Sequence, residues 1–128
     1  MNIIRNQIHD ALRVSPYSDG EGFETEFSLN GDFVGFEGHF PGNPVLPGIC
    51  LITACLVAAG EALGSSVKMS RLKSAKFFSP VAPGDKVAIK ASFVRGDTEN
   101  MLKAQISCEQ RRVAQIILGY FSPAEGRN

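Results

Sequence analysis

The sequence predicts an α+β fold in which an antiparallel sheet wraps around one long buried helix. Three observations carry that expectation. Residues 49–63 are apolar on every face, with only Thr53 and Glu61 strongly polar, and a helix that is hydrophobic all round is a buried helix. Several other stretches alternate apolar and polar residues with a period of two, the pattern of strands with one wet face. A run dense in glycine and proline separates the first such stretch from the helix. A sheet with one apolar face and an apolar helix are both hidden when the first curls round the second.

The elements follow in chain order. The 128 residues, 13.8 kDa in all, fit a single domain spanning residues 1–128. Ile4, Ile8, Ala11 and Leu12 recur at helical spacing, which predicts a short amphipathic helix over about residues 2–13. Pro16 and the Ser-Asp-Gly cluster at 18–20 stop it. Phe23, Thr25, Phe27 and Leu29 alternate with Glu24, Glu26 and Ser28 as a strand, and Asn30-Gly31 turns the chain. Residues 31–48 hold five of the thirteen glycines and three of the seven prolines. Glycine permits unusual dihedrals and proline fixes them, so this stretch reads as a specific loop rather than regular structure. The central helix spans about residues 48–63, roughly 22 Å at 1.5 Å per residue, and Gly64-Ser65-Ser66 ends it. Residues 67–79 lead into a turn at 80–85. Strands follow with Val87, Ile89, Ala91 and Phe93 on one face, then Leu102, Ala104, Ile106 and Cys108, then Ala114, Ile116, Leu118 and Tyr120. These read as a long antiparallel meander after the helix, closed by a loose tail over about residues 122–128.

Composition excludes several classes. Hydrophobic residues make up 44% and charged ones 20%, with thirteen basic residues balanced by thirteen acidic ones. A nucleic-acid binder would carry a basic excess, so no nucleic-acid partner is expected. The longest nearly apolar run, residues 49–60, falls short of the roughly 18 residues that span a bilayer, and the N-terminus MNIIRNQIHD carries charge where a signal peptide would be apolar. The expectation is a cytoplasmic protein without a membrane span. Three cysteines without CxxC spacing and two histidines suggest neither a disulfide framework nor a metal cluster.

The stretch GHFPGNPVLPG at 38–48, running into the apolar helix, resembles the β-hydroxyacyl-acyl-carrier-protein dehydratases of the FabZ and FabA type. Ala75-Lys76-Phe77 followed by PVAPGD at 80–85 is similar to the same family's second signature. The resemblance covers roughly residues 22–122. It implies a hot-dog fold, at least a homodimer or a higher homo-oligomer, and a substrate tunnel at the protomer interface. It further implies acyl chains held as thioesters on acyl carrier protein or coenzyme A, and loss of water across the 2,3 bond of a 3-hydroxyacyl group with no cofactor or metal.

Such an elimination needs a base for the proton beside the carbonyl, an acid for the departing hydroxyl and donors for the negative charge on the carbonyl oxygen. His39 matches the family's catalytic histidine, and an imidazole titrates near neutrality. The backbone amides of Gly48 and Ile49 stand where the helix starts, and its unsatisfied N–H groups suit a developing oxyanion; the resemblance puts the thioester carbonyl there. Gly60 would let a ligand approach the helix, with packing as the plainer reading.

One position departs from the family pattern. The carboxylate expected five residues after the glycine of PVLPG is Thr53, and the glutamine four residues further on in FabZ-type members is Val57. A threonine hydroxyl is a poor proton donor at neutral pH, and it can instead bond a carbonyl of its own helix. Glu61 points about 80° round the helix from Thr53 and lies ~12 Å further along it, which makes it a solvated helix end. Glu37 reads as a surface loop acid. A syn elimination needs only His39, which would take the proton and return it to the hydroxyl. Cys50 and Cys55 read as buried small hydrophobes. Arg71, Lys73, Lys76, Arg111 and Arg112 read as a solvated strand face that could meet an acidic carrier protein. Three functions stay open: a dehydratase or hydratase working through His39, an acyl-thioester-binding or structural protein that lost its acid, and a hot-dog thioesterase.

Overall fold

The computed structural model describes residues 3–13, 20–36 and 44–122. Within them the chain forms α1 (Ile3–Ala11), β1 (Gly22–Phe27), a 3₁₀ turn (Val34–Phe36), α2 (Gly48–Leu63), β2 (Lys68–Phe77), β3 (Val87–Val94), β4 (Asn100–Cys108) and β5 (Arg111–Phe121). The strands make one antiparallel sheet in the order β1-β3-β4-β5-β2. Its inner face packs on α2, giving the α+β hot-dog arrangement.

The period-two pattern places the side chains as the sequence predicts. β3 buries Val87, Ile89, Ala91 and Phe93 and turns the residues between them to solvent. Leu102, Ala104, Ile106 and Cys108 of β4 and Ala114, Ile116, Leu118 and Tyr120 of β5 join the same core. The predicted meander is corrected in its extent. It holds for β3, β4 and β5, whereas β2 lies at the far edge, paired with β5 alone, and residues 78–86 carry the chain back to β3. Alternation marks a strand but not its neighbour, so order was not written in that signal. β4 and β5 slip register between Ile106 and Ser107, which leaves Val113 as a surplus residue. Its carbonyl accepts the amides of Phe78 at 2.7 Å and Ser79 at 3.4 Å.

α2 buries nine residues between Cys50 and Ala59. The expectation of burial on every face fails at its first turn, where Ile49 is 61% exposed. Gly64 ends the helix in the left-handed region (φ 71°), a conformation glycine adopts without strain. α1 is shorter than predicted. Past Ala11 the chain turns strand-like: Leu12 bridges Phe27, and the Arg13 amide donates to Glu26 O at 2.9 Å. Ile8 seats α1 in the core. Among its described residues the loop expected over 31–48 holds a 3₁₀ turn, in which the Val34 amide donates to Gln7 Oε1 at 3.0 Å and Phe33 meets Phe36 edge-on. Pro16, the GHFPG histidine and the 123–128 tail lie outside the described residues.

Candidate active site

The described part of the site is the mouth of α2, and the second signature builds it. Asp85 Oδ2 accepts the Ala82 amide at 2.9 Å and Arg111 Nη2 at 3.1 Å, which closes the 80–85 turn. That turn ties two other segments together: the Gly84 amide donates to Leu29 O and the Leu46 amide to Val81 O, each at 2.8 Å. The approach to α2 is therefore anchored from the side by a turn distant in sequence.

Pro47 is the N-cap, with extended backbone (φ −63°, ψ 147°) and no side-chain cap bond. Proline supplies no capping oxygen, so the helix's first amides keep their donor capacity. The intrahelical ladder opens with the Cys50 amide donating to Pro47 O at 2.9 Å. A Cβ at Gly48 would lie 2.7 Å from Phe77 Cζ, so the Phe77 ring from the end of β2 lies against Gly48. Phe77 and Ile49 are 50% and 61% exposed and give this mouth an apolar rim. Phe77 is the residue that sequence reasoning used only as part of a motif; an aromatic closing a signature strand was the available signal.

One turn into the helix, the Thr53 hydroxyl donates to Ile49 O at 2.8 Å. The proton of that hydroxyl is thus engaged by its own helix. Val57, on the next turn, is buried and apolar. Gly48, Ile49 and Thr53 come together at one end of α2. Gly60 does not join them: it lies twelve residues along, about 18 Å away at 1.5 Å per residue. A Cβ there would stand 2.9 Å from Ser65 O, so Gly60 serves the tight helix end, and it lines a separate cleft of about 430 Å³ with Arg5, His9 and Glu61. Glu61, expected to be merely solvated, meets His9 Nε2 and fastens α1 to α2. His39 and Glu37 lie outside the described residues.

Cys50 and Cys55 are buried at 2% and 0% exposure. Burial pushes the Cys55 thiol up to about 12 and raises that of Cys50 as well, so both stay protonated at neutral pH and neither is an activated nucleophile. Among the described residues no group of three or more His, Cys, Asp or Glu could hold a metal, and no helix is long and apolar enough to cross a membrane.

An antiparallel sheet around a helix whose bare amino end follows a PVLPG turn places the chain in the hot-dog class. The profile of the ApeI-like family, described as ApeI dehydratase, matches residues 15–116, and the chain belongs to that family. It is 33% identical over 106 residues to the 3-hydroxyacyl-[acyl-carrier-protein] dehydratase FabZ of Lactiplantibacillus plantarum, covering 76% of this chain and 69% of that one. Against FabZ of Chlamydia trachomatis it is 40% identical over 67 residues, a match spanning 45% of this chain and 44% of that relative's length. In fold it is similar to the dehydratase heterocomplex ApeI:P from Xenorhabdus doucetiae, with a TM-score of 0.73 at 21% identity over 86% of this chain and 96% of that one. It also resembles a hypothetical thioesterase with coenzyme A from Streptococcus pneumoniae, with a TM-score of 0.65 at 19% identity over 87% and 83%.

Proposed function

We propose that the protein interconverts 3-hydroxyacyl and 2-enoyl thioesters, carried on acyl carrier protein or coenzyme A, with His39 as the single acid–base group. The observation that carries this reading is the bare start of α2 beside a Thr53 hydroxyl already spent on Ile49 O. The thioester carbonyl oxygen lies at the amides of Gly48 and Ile49, where the positive helix end stabilises the charge that builds as the neighbouring proton leaves. The neutral imidazole of His39 takes that proton. The imidazolium then returns it to the C3 hydroxyl, the C–O bond breaks, and water departs as the double bond forms. Thr53 holds no proton for this step.

The proposal includes a homodimer. β2 pairs on one side only and leaves Met69, Leu72 and Phe77 exposed, and Ile49 is exposed at the helix mouth. A second copy covering that edge would bury them and enclose the acyl chain.

Purified protein incubated with 3-hydroxyacyl and 2-enoyl thioesters on both carriers tests the reading, following enoyl absorbance and free thiol together. Enoyl interconversion that His39→Ala abolishes supports it. Thiol release without interconversion would assign a thioesterase. A second reading rests on Thr53 and on the heterocomplex named for the Xenorhabdus protein: the catalytic carboxylate is brought by a different hot-dog chain. Turnover that appears only when a carboxylate-bearing hot-dog partner is added would favour it.

A further inference from the structure

One segment of chain, residues 77–85, grips the start of α2 at two points. Val81 O accepts the Leu46 amide at 2.8 Å, just before the helix. The Phe77 ring rests on Gly48, the first helical residue: a Cβ built there would lie 2.7, 3.0 and 3.1 Å from Cζ, Cε1 and Cε2 of the ring. The far edge of the ring, not one stray atom, makes the contact. Gly48 has no positive φ, so its backbone would suit a residue with a side chain. What excludes a side chain at that position is the ring.

The sheet holds Phe77 in place. It pairs with Ala114 of β5 at the end of β2. The next two amides, of Phe78 and Ser79, donate to Val113 O, and the Ser79 hydroxyl donates to Arg112 O. The Arg112 guanidinium lies over the Phe78 ring, 4.0 Å from its centroid. With the backbone fixed on both sides, the Phe77 ring can move only through its own side-chain torsions. Core filling does not account for its position. Phe23, Phe27 and Phe36 fill the core and are buried, whereas Phe77 is 50% exposed and spends its covered edge on a residue without a side chain.

We propose that Phe77 is a positioning residue for the elimination: its ring keeps water from one side of the Gly48 amide and fixes the first turn of α2. The proposal rests on the thioester reading above, in which the Gly48 and Ile49 amides receive the carbonyl oxygen. The helix has no capping side chain, so water is the natural competitor for those donors. An apolar ring pressed on Gly48 displaces part of that water and lowers the local dielectric, where a hydrogen bond to developing charge is worth more. The ring also limits excursions of the helix start, and a misplacement of about 1 Å can cost on the order of 10²-fold in rate. Glycine at 48 and phenylalanine at 77 thus work as a pair, the first leaving the space that the second fills.

The test uses the full chain, a 3-hydroxyacyl coenzyme A thioester and two readouts, steady-state kinetics and amide exchange with water followed by NMR. Phe77→Ala is expected to lower kcat by about tenfold or more while KM stays within about threefold. Phe77→Leu, which keeps an apolar cover, is expected to fall between that variant and the wild type; it carries the same comparison if the alanine chain does not fold. Gly48→Ala pushes the ring away and is expected to lower kcat in the same way. Because both changes remove one contact, the double variant is expected to be no slower than the slower single one. Exchange at the Gly48 amide is expected to rise about threefold or more in Phe77→Ala, with the core amide of Leu102 unchanged. An unchanged kcat, losses that multiply in the double variant, or exchange at Leu102 rising in step would each overturn the proposal. A wild type that turns over no thioester would sink the catalytic reading instead; the Gly48 exchange rate then decides on the ring alone, a rise upholding the cover and no change overturning it.

Discussion

Thr53 is the residue at which the proposed chemistry is most directly tested. Its hydroxyl proton goes to Ile49 O, so Thr53→Val should leave the enoyl interconversion rate within about threefold of wild type and shift stability by less than about 1 kcal/mol, read by urea melts. Thr53→Glu puts a carboxyl where the resemblance places the family's acid; a rate gain in the range of ~10–10⁴-fold is expected if the acid alone is missing, and none if the pocket has been rebuilt for another task. Cys55 supplies a pH signature. Its folded-state value near 12 lies above the unfolded one, so the folded chain keeps a proton that the unfolded chain releases. Stability is untouched below about pH 8.5 and erodes by roughly one kcal/mol per pH unit above it. Urea midpoints measured at neutral and alkaline pH should fall further for wild type than for Cys55→Ala. That Gly48, Ile49 and Thr53 meet at one end of α2 was legible in the chain, because they follow one another within a single helix start. The Phe77–Gly48 contact was not, since the two residues meet only through the fold.

Each element owes its place to a different kind of information. β1, β3, β4 and β5 follow from alternation, which tells which side chains are inside. β2 carries no such pattern: eight of its ten residues are exposed and two half-buried. A strand exposed on both faces leaves no periodic trace, so its edge position had to come from the coordinates. The 80–85 turn is the element that connects fold to site, because it holds Leu29 and Leu46 at once. Asp85→Ala removes the acceptor shared by Ala82 and Arg111. A loss of about 1–2 kcal/mol is expected, measured by thermal melts. A fall in turnover larger than the stability loss explains would mark the turn as setting the helix mouth.

At the scale of the whole molecule, the open β2 edge and the exposed side chains beside it are where the proposed homodimer is tested. Leu72→Lys, at a position 43% exposed on that edge, should shift the protein from dimer to monomer in analytical ultracentrifugation while leaving the far-UV circular dichroism unchanged. A monomeric wild type at micromolar concentration would contradict the shared tunnel. The architecture itself was readable because one apolar rod and one-sided strands admit few joint packings; strand order was not, because the crossover at 78–86 looks like any other turn-rich connector. The surplus residue in β5 has a further consequence. Arg112 faces Ser107 with or without Val113, so excising that residue would simply straighten the strand. What the deletion takes away is the carbonyl that holds the Phe78 and Ser79 amides. The long connector leaving the far edge would lose its mooring to the middle of the fabric, and a shortened chain should melt earlier while its strand pairing persists.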